Sequence, residues 1–320
     1  MAGNPQKILI VGAGIVGLYL AWQLSLKGHK VFVCEKRSKE GSWKKSCSTL
    51  VSERIRDFIP MDDSFIENKI SGCLINFPKK TVRLDFRPIH LVLSRPAVLS
   101  RLLELAQKEG AEVSFEKDIK KTPEGFDKII GCDGALSKVR ENFGLSNPRF
   151  RLGIQFFQKG KDGSDFVETW PTKNGFCWRI PRGEETEWGM LEDPETALAR
   201  FKEFLKNKDI PFGDGQGSFP AALVPSGLVL PKDKNITLCG DAAGLAKPWS
   251  GGGLIWGLKA ASILLETFPD FEAYSRKTKR FFTFRIIKGR IADTAVHFLG
   301  KRLPFLLPDK IKYDNDFPVL

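Results

Sequence analysis

The sequence predicts an α/β fold in which a parallel-sheet nucleotide-binding domain is interrupted by an antiparallel sheet and followed by C-terminal helices. Three observations predict it. The first is the run from Lys7 to Gly17, KILIVGAGIVG, which sets Gly12, Gly14 and Gly17 in G-x-G-x-x-G spacing. The second lies more than two hundred residues downstream, where Leu238-Cys239-Gly240-Asp241-Ala242-Ala243-Gly244 precedes the run Lys247 to Leu254. The third is a series of alternating apolar segments between residues 150 and 191, the pattern of half-buried strands.

The first motif has the context it needs. Residues 7–11 are apolar without alternation, as in a strand buried on both faces. Gly12 allows the tight turn, Gly14 lets the backbone approach a pyrophosphate, and Gly17 permits close strand–helix packing. A helix through Leu18, Ala21, Trp22 and Leu24 ends near Gly28, and its first N–H groups face the phosphates. A second strand, Lys30 to Cys34, ends in Glu35, 18 residues beyond Gly17, where a ribose hydroxyl needs an acceptor. Together these make the domain Rossmann-like. The second motif narrows the dinucleotide to FAD, because a flavin has a ribityl chain and a ring to place as well as a pyrophosphate. A helix starting after Gly251-Gly252-Gly253 points its positive end at the flavin N1–C2=O edge, where reduction deposits negative charge.

Between the motifs, Ile70 to Phe77 and Thr81 to Phe86, split by Pro78-Lys79-Lys80, read as a hairpin inserted after the second strand. A helix from Pro96 to Lys108 ends at Gly110, and Glu112 to Phe115 and Phe126 to Cys132 read as strands. The strand candidates that follow are Arg151 to Gln158, Asp165 to Trp170, Phe176 to Ile180 and Glu187 to Leu191. A helix near 195–207 and a strand near 217–224 complete that lobe, and the strand Asn235 to Cys239 returns to the first sheet. Gly213-Asp-Gly215-Gln-Gly217 imitates a dinucleotide loop, but Ser218-Phe219-Pro220 follows it instead of a helix, so it reads as a turn. The expected domains are a discontinuous FAD-binding domain (1–145 and 233–268), a substrate-binding sheet lobe (146–232) and a C-terminal helical segment (269–320).

Composition sets the outer limits. At 320 residues, 42% hydrophobic and 28% charged, the chain has the make-up of an ordinary soluble protein with a full core. No stretch approaches the roughly 18 apolar residues of a spanning helix, and no signal-peptide pattern opens the chain. The six cysteines are scattered singly, which argues against a disulfide framework, and His29, His90 and His297 lack metal-ligand spacing. No metal site is expected. The net charge of +12 is concentrated late: residues 276–302 carry nine Lys or Arg against Asp293 alone. Positions 284, 287, 291, 295 and 298 fall on one helical face. Two readings stand: a core-packed helix with a solvated basic face, or peripheral adhesion to anionic lipid. No nucleic-acid recognition motif accompanies the charge. A cytoplasmic protein follows, with the membrane surface as its second expected location.

The order GAGIVG, Glu35, Ser94-Arg95, GCDGALSKVR and CGDAAGLAKPWSGGG resembles the flavin-dependent family of aromatic hydroxylases and geranylgeranyl reductases. Asn174 to Pro181, NGFCWRIP, is similar to the reductases' Tyr-x-Trp-x-Phe-Pro motif, and Lys45 to Arg54, KSCSTLVSER, to their Cys-containing segment on the flavin. Phe176 stands where those reductases usually have Tyr, and Leu50 replaces a glycine, which crowds one flavin face. The resemblance implies that backbone at Val16 and Gly17 meets the pyrophosphate and that Glu35, with Lys36 beside it, meets the adenosine ribose. Arg95, Asp133 and Gly134 would enclose the cofactor, although Asp133 also reads as a turn former. Asp241 would accept from a ribityl hydroxyl. Cys47, Ser48, Gly252, Gly253 and Leu254 would line the isoalloxazine. Trp178 and Phe176 would wall a greasy chain or simply pack the core, and Cys47 would donate a proton or merely touch the flavin.

The activity implied is FAD-dependent reduction of carbon–carbon double bonds in isoprenoid chains of membrane lipids, with NADPH or ferredoxin as electron donor. Two other functions share every motif above: an FAD-dependent monooxygenase hydroxylating a hydrophobic substrate, and a non-catalytic flavoprotein.

Overall fold

A computed structural model describes residues 4–43, 46–212 and 219–318. Lys45 and the turn Gly213 to Gly217 lie outside the described residues. The chain opens with β1 (Lys7–Val11), α1 (Ile15–Leu26) and β2 (Lys30–Cys34). A short α2 (Lys39–Trp43) and β3 (Leu50–Ser52) lead into a long hairpin, β4 (Ile66–Phe77) and β5 (Lys80–Leu93). Next come α3 (Arg95–Lys108), β6 (Glu112–Ser114), β7 (Lys128–Gly131) and α4 (Lys138–Asn142). Strand β8 (Arg149–Asp162) and the meander β9 (Phe166–Pro171), β10 (Phe176–Pro181) and β11 (Gly183–Glu192) precede α5 (Pro194–Asn207) and β12 (Ala221–Ser226). The last elements are β13 (Ile236–Leu238), α6 (Leu254–Thr267), the 32-residue α7 (Phe271–Arg302) and β14 (Lys310–Tyr313).

Two sheets result. The smaller is parallel throughout, in the order β13-β7-β1-β2-β6. Ile8, Leu9 and Ile10 are buried at its centre, as an apolar run covered on both faces requires. Helices α1, α3, α6 and α7 share its core, where Trp256, Tyr274 and Phe282 are fully buried. Each such side chain contributes about 1.5–3 kcal/mol through burial, and the Tyr274 hydroxyl donates to Leu238 O at 3.0 Å. The larger sheet runs β12-β8-β11-β10-β9-β4-β5-β14, with β3 on the free edge of β5. The expected fold class holds: a Rossmann-like domain, an antiparallel sheet and C-terminal helices.

Sheet membership cuts across the sequence intervals. The hairpin β4–β5 belongs to the larger sheet, joined to β9 through a parallel ladder that sets Gly72 against Phe166. A Cβ at Gly72 would stand 2.7 Å from the Phe166 ring, so the close approach depends on glycine. The C-terminal segment likewise adds β14, parallel to β5.

The core-packed reading of the basic helix fails for the face singled out above. Phe284, Ile287, Ile291 and Phe298 point to solvent, and Phe282, Ile286 and Gly289 face inward. Gly289 is held against the Trp249 ring, which a Cβ would meet at 2.4 Å. No helix among the described residues is long and apolar enough to cross a membrane.

Candidate active site

The glycine turn is built by local contacts. Gly12 has φ +104°, and a Cβ there would sit 2.5 Å from Cys132 O; one at Gly17 would sit 2.0 Å from Gly12 O. Gly14 instead faces open space and caps α1 with no side-chain bond, so the first N–H groups of the helix remain available. Glu35 closes the turn from the side: one carboxylate oxygen accepts from Ala13 N at 3.0 Å and the other from Arg37 N at 3.0 Å. Those two bonds leave carboxylate lone pairs for further donors. Lys36 beside it is exposed.

Asp133 caps the turn into α4, accepting from Lys138 N at 2.7 Å and Val139 N at 3.2 Å. Its second oxygen is buried without a partner among the described residues, and burial raises its pKa. Arg140, buried, ties this segment to the downstream motif through Ala135 O (2.6 Å) and Ala242 O (2.9 Å). Nothing in the motif spelling announced that link.

A cavity of about 510 Å3 begins at this cradle and runs across the face of the larger sheet. Gly14, Val16, Arg95, Gly134 and Asp241 line the end beside the glycine turn, with Cys47, Ser48, Gly252, Gly253 and Leu254 next to them. Phe176 and Trp178 line the sheet wall. The cavity therefore brings together twelve of the expected residues and leaves Gly12, Gly17, Glu35, Lys36 and Asp133 outside its lining. Arg95 Nε is buried with no partner among the described residues. Gly253 caps α6 with no side-chain bond, and a Cβ there would reach Asp241 Oδ1 at 2.9 Å. Thr49, buried beside Cys47 and Ser48, adopts φ +50°, an uncommon conformation for a β-branched residue and a mark of a strained turn.

Trp178 sits across from Gly189 in the β10–β11 ladder, where a Cβ would strike its ring at 2.2 Å. Its indole donates to Glu187 Oε1 at 2.9 Å, and the Phe176 ring lies 5.9 Å away. Glu187 is completely buried and also accepts from Gln155 Nε2 at 2.6 Å and Arg182 at 2.7 Å. Gln155 in turn accepts from Ser46 Oγ. Arg182 reaches on to Ser48 O at 2.7 Å, fastening the Cys47 segment to the sheet. Arg179 points to the opposite face, pairing with Asp162 and with Glu168 at 3.0 Å, as strand alternation requires.

The far C-terminus completes the site. Asp316, 1% exposed, accepts from Ser52 Oγ and pairs with the buried Lys247 at 3.0 Å. Asn315 accepts from Trp249 Nε1 at 2.9 Å. Burial and the nearby Lys247 hold His90 down to about 4, so it is neutral at pH 7. On α7, Asp293 and His297 also line the cavity, 3.7 Å apart. Burial pushes the Asp293 carboxyl up to about 6 and lowers the pKa of His297.

The comparisons with known proteins agree with this geometry. Residues 7–58 match the family described as FAD dependent oxidoreductase. Digeranylgeranylglycerophospholipid reductase 3 of Methanosphaera stadtmanae is 26% identical over 304 residues, spanning 80% of this chain and 75% of that one. A kynurenine 3-monooxygenase of Christiangramia forsetii is 23% identical over 325 residues, spanning 82% and 72%. A geranylgeranyl bacteriochlorophyll reductase-like protein from Thermoplasma acidophilum shares the fold with a TM-score of 0.74 at 22% identity, covering 92% of this chain and 88% of its own.

Fold, cradle and relatives define an FAD-dependent oxidoreductase, with FAD as its cofactor. The residues fit that group: a buried guanidinium nitrogen without a partner among the described residues, two helix N-termini without side-chain caps and an open glycine approach face one cavity. Within that class, the resemblance to geranylgeranyl reductases spans most of the chain.

Proposed function

We propose that this oxidoreductase reduces carbon–carbon double bonds in isoprenoid chains, specifically the geranylgeranyl chains of membrane lipids. The cavity carries the reading. Its cofactor end opens directly into a channel walled by Ile75, Phe77, Val82, Leu84 and Phe86, a lining that suits an extended apolar chain. The names of the archaeal relatives support the same substrate class.

Backbone at Gly12, Gly14, Val16 and Gly17 meets the pyrophosphate in this reading, and Glu35 and Lys36 meet the adenosine ribose. Arg95, Asp133 and Gly134 enclose the cofactor, and Asp241 takes a ribityl hydroxyl. Cys47, Ser48, Gly252, Gly253 and Leu254 line the ring. When bound and reduced by its electron donor, NADPH or ferredoxin, FAD would supply the hydride for one alkene carbon and return to the oxidised form. An unactivated alkene offers no oxygen to polarise, so positioning supplies most of the rate. Phe176 and Trp178 hold the chain, and Glu187 fixes the Trp178 indole. Cys47, exposed to the cavity, holds the proton for the second carbon.

The second reading is a monooxygenase, favoured by the kynurenine 3-monooxygenases that match over a similar length. Anaerobic stopped-flow mixing of reduced protein with a geranylgeranylated lipid separates the two. A reductase recovers oxidised-flavin absorbance without oxygen. Absorbance that recovers only when oxygen is admitted, with a hydroxylated product, overturns the reductase reading.

A further inference from the structure

The exposed stripe on α7 has spacing 284, 287, 291 and 298, one helical face. Phe284 is 62% exposed, Ile291 65% and Phe298 58%. The turn that follows adds Phe305 at 74% and Leu306 at 57%. Large apolar side chains gathered this way mark an interaction surface, because a soluble monomer rarely leaves a contiguous patch of that size in water.

Two further observations say what covers it. The same helix, its C-terminal end and β14 carry exposed cations, among them Arg290, Lys301, Arg302, Lys310 and Lys312. Val296 and Ile311 line the cavity and are each 38% exposed, so they form a rim shared by the cavity and the outer surface. The turn with Phe305 and Leu306 therefore adjoins cavity-lining residues Leu307 and Ile311, and exposed cations lie on the same elements as the apolar stripe.

We propose that the outer face of α7, the turn at Pro304–Leu306 and β14 seat on an anionic lipid bilayer, which opens the cavity mouth to the apolar layer. An in-plane helix with aromatic and aliphatic residues on one side and Lys and Arg around them binds lipid in this manner. Each basic residue near the surface adds about 1 kcal/mol. An isoprenoid chain then enters past Ile311, beside the docked turn, without crossing water. The use of the mouth rests on the proposed reductase activity; the docking surface does not.

The test is flotation of the FAD-loaded protein with two kinds of vesicle, phosphatidylcholine alone and an equal mixture of it with phosphatidylglycerol. The parent protein floats with the anionic vesicles and is released from them by high salt. Arg302→Gln with Lys312→Gln weakens that binding by roughly thirtyfold, two cations at about 1 kcal/mol each. Ile291→Asp with Phe298→Asp abolishes it, with flavin absorbance and melting temperature retained. Binding that persists in the Asp variant, or a parent that floats with neither vesicle, overturns the proposal. It also fails if vesicles never bind and the cation variants instead lose reduction by an acidic electron-carrier protein. Vesicle binding without alkene reduction leaves the docking face standing and removes only the reductase reading.

Discussion

Replacing Glu187 by Gln removes one charge from a buried polar cluster behind the cavity wall. The carboxylate is completely inaccessible and accepts from Gln155, Trp178 and Arg182 at 2.6, 2.9 and 2.7 Å. The amide keeps an acceptor for the indole, but its NH2 group must then face a donor. Breaking a buried ion pair from one side costs about 3–5 kcal/mol. Arg182 retains Glu67 at 2.7 Å, with that partner 34% exposed, so the lower end applies, about 3 kcal/mol. With an m-value of about 3 kcal/mol/M, the urea midpoint of the FAD-loaded protein falls by about 1 M. Tryptophan fluorescence and circular dichroism measure it. Adding Arg182→Met to the Gln variant restores part of the loss, because the two side chains act as a coupled pair. A midpoint within about 0.2 M of the parent in the single variant, on the same m-value, would refute the claim that this carboxylate anchors the wall.

Three further outcomes are expected. Glu35→Gln weakens FAD binding about 10- to 100-fold, the worth of one charge-assisted hydrogen bond, read by flavin fluorescence titration. Cys47→Ala lowers alkene turnover by about 100-fold or more with FAD affinity unchanged; unchanged turnover removes the thiol from the mechanism. Asp293→Asn stabilises the protein at pH 8 and not at pH 4. The sign follows from burial, which holds the folded carboxyl at about 6 while the unfolded group titrates near its ordinary value. The stability of the protonated form is fully present below about pH 4 and is lost as pH rises through 6. The ceiling is about 3 kcal/mol; with the side chain 31% exposed, screening reduces it to about 1–2 kcal/mol, a few degrees in melting temperature. Equal melting shifts at both pH values contradict the assignment.

The cofactor half of the site was legible because its signals are local. Gly12, Gly17 and Gly253 stand where backbone or carboxylate atoms leave no room for a Cβ, and such constraints leave glycines at fixed spacing. The expected strands overlap observed ones because apolar runs and alternation are short-range patterns, but β3 and β14 were not among them and β5 runs on to Leu93. What stayed hidden depends on long-range pairing. Glu187 meets Gln155 only because β11 lies beside β8 in one register, and that register is invisible in either strand alone. Asp316 reaches Ser52 across 264 residues. The hairpin β4–β5 joins the larger sheet through its ladder with β9, which no turn signal encodes. On α7 the 3.6-residue period located the apolar stripe but not the side that packs: Phe282 and Ile286 go inward and the more regular stripe stays outside.

Product mass after an anaerobic single turnover tests the central claim most directly. Chemically reduced, FAD-loaded protein is mixed with a geranylgeranylated glycerophospholipid and the lipid is recovered. The account predicts a gain of one hydrogen pair for each flavin oxidised. Lipid of unchanged mass, from protein shown to hold reduced FAD, contradicts it.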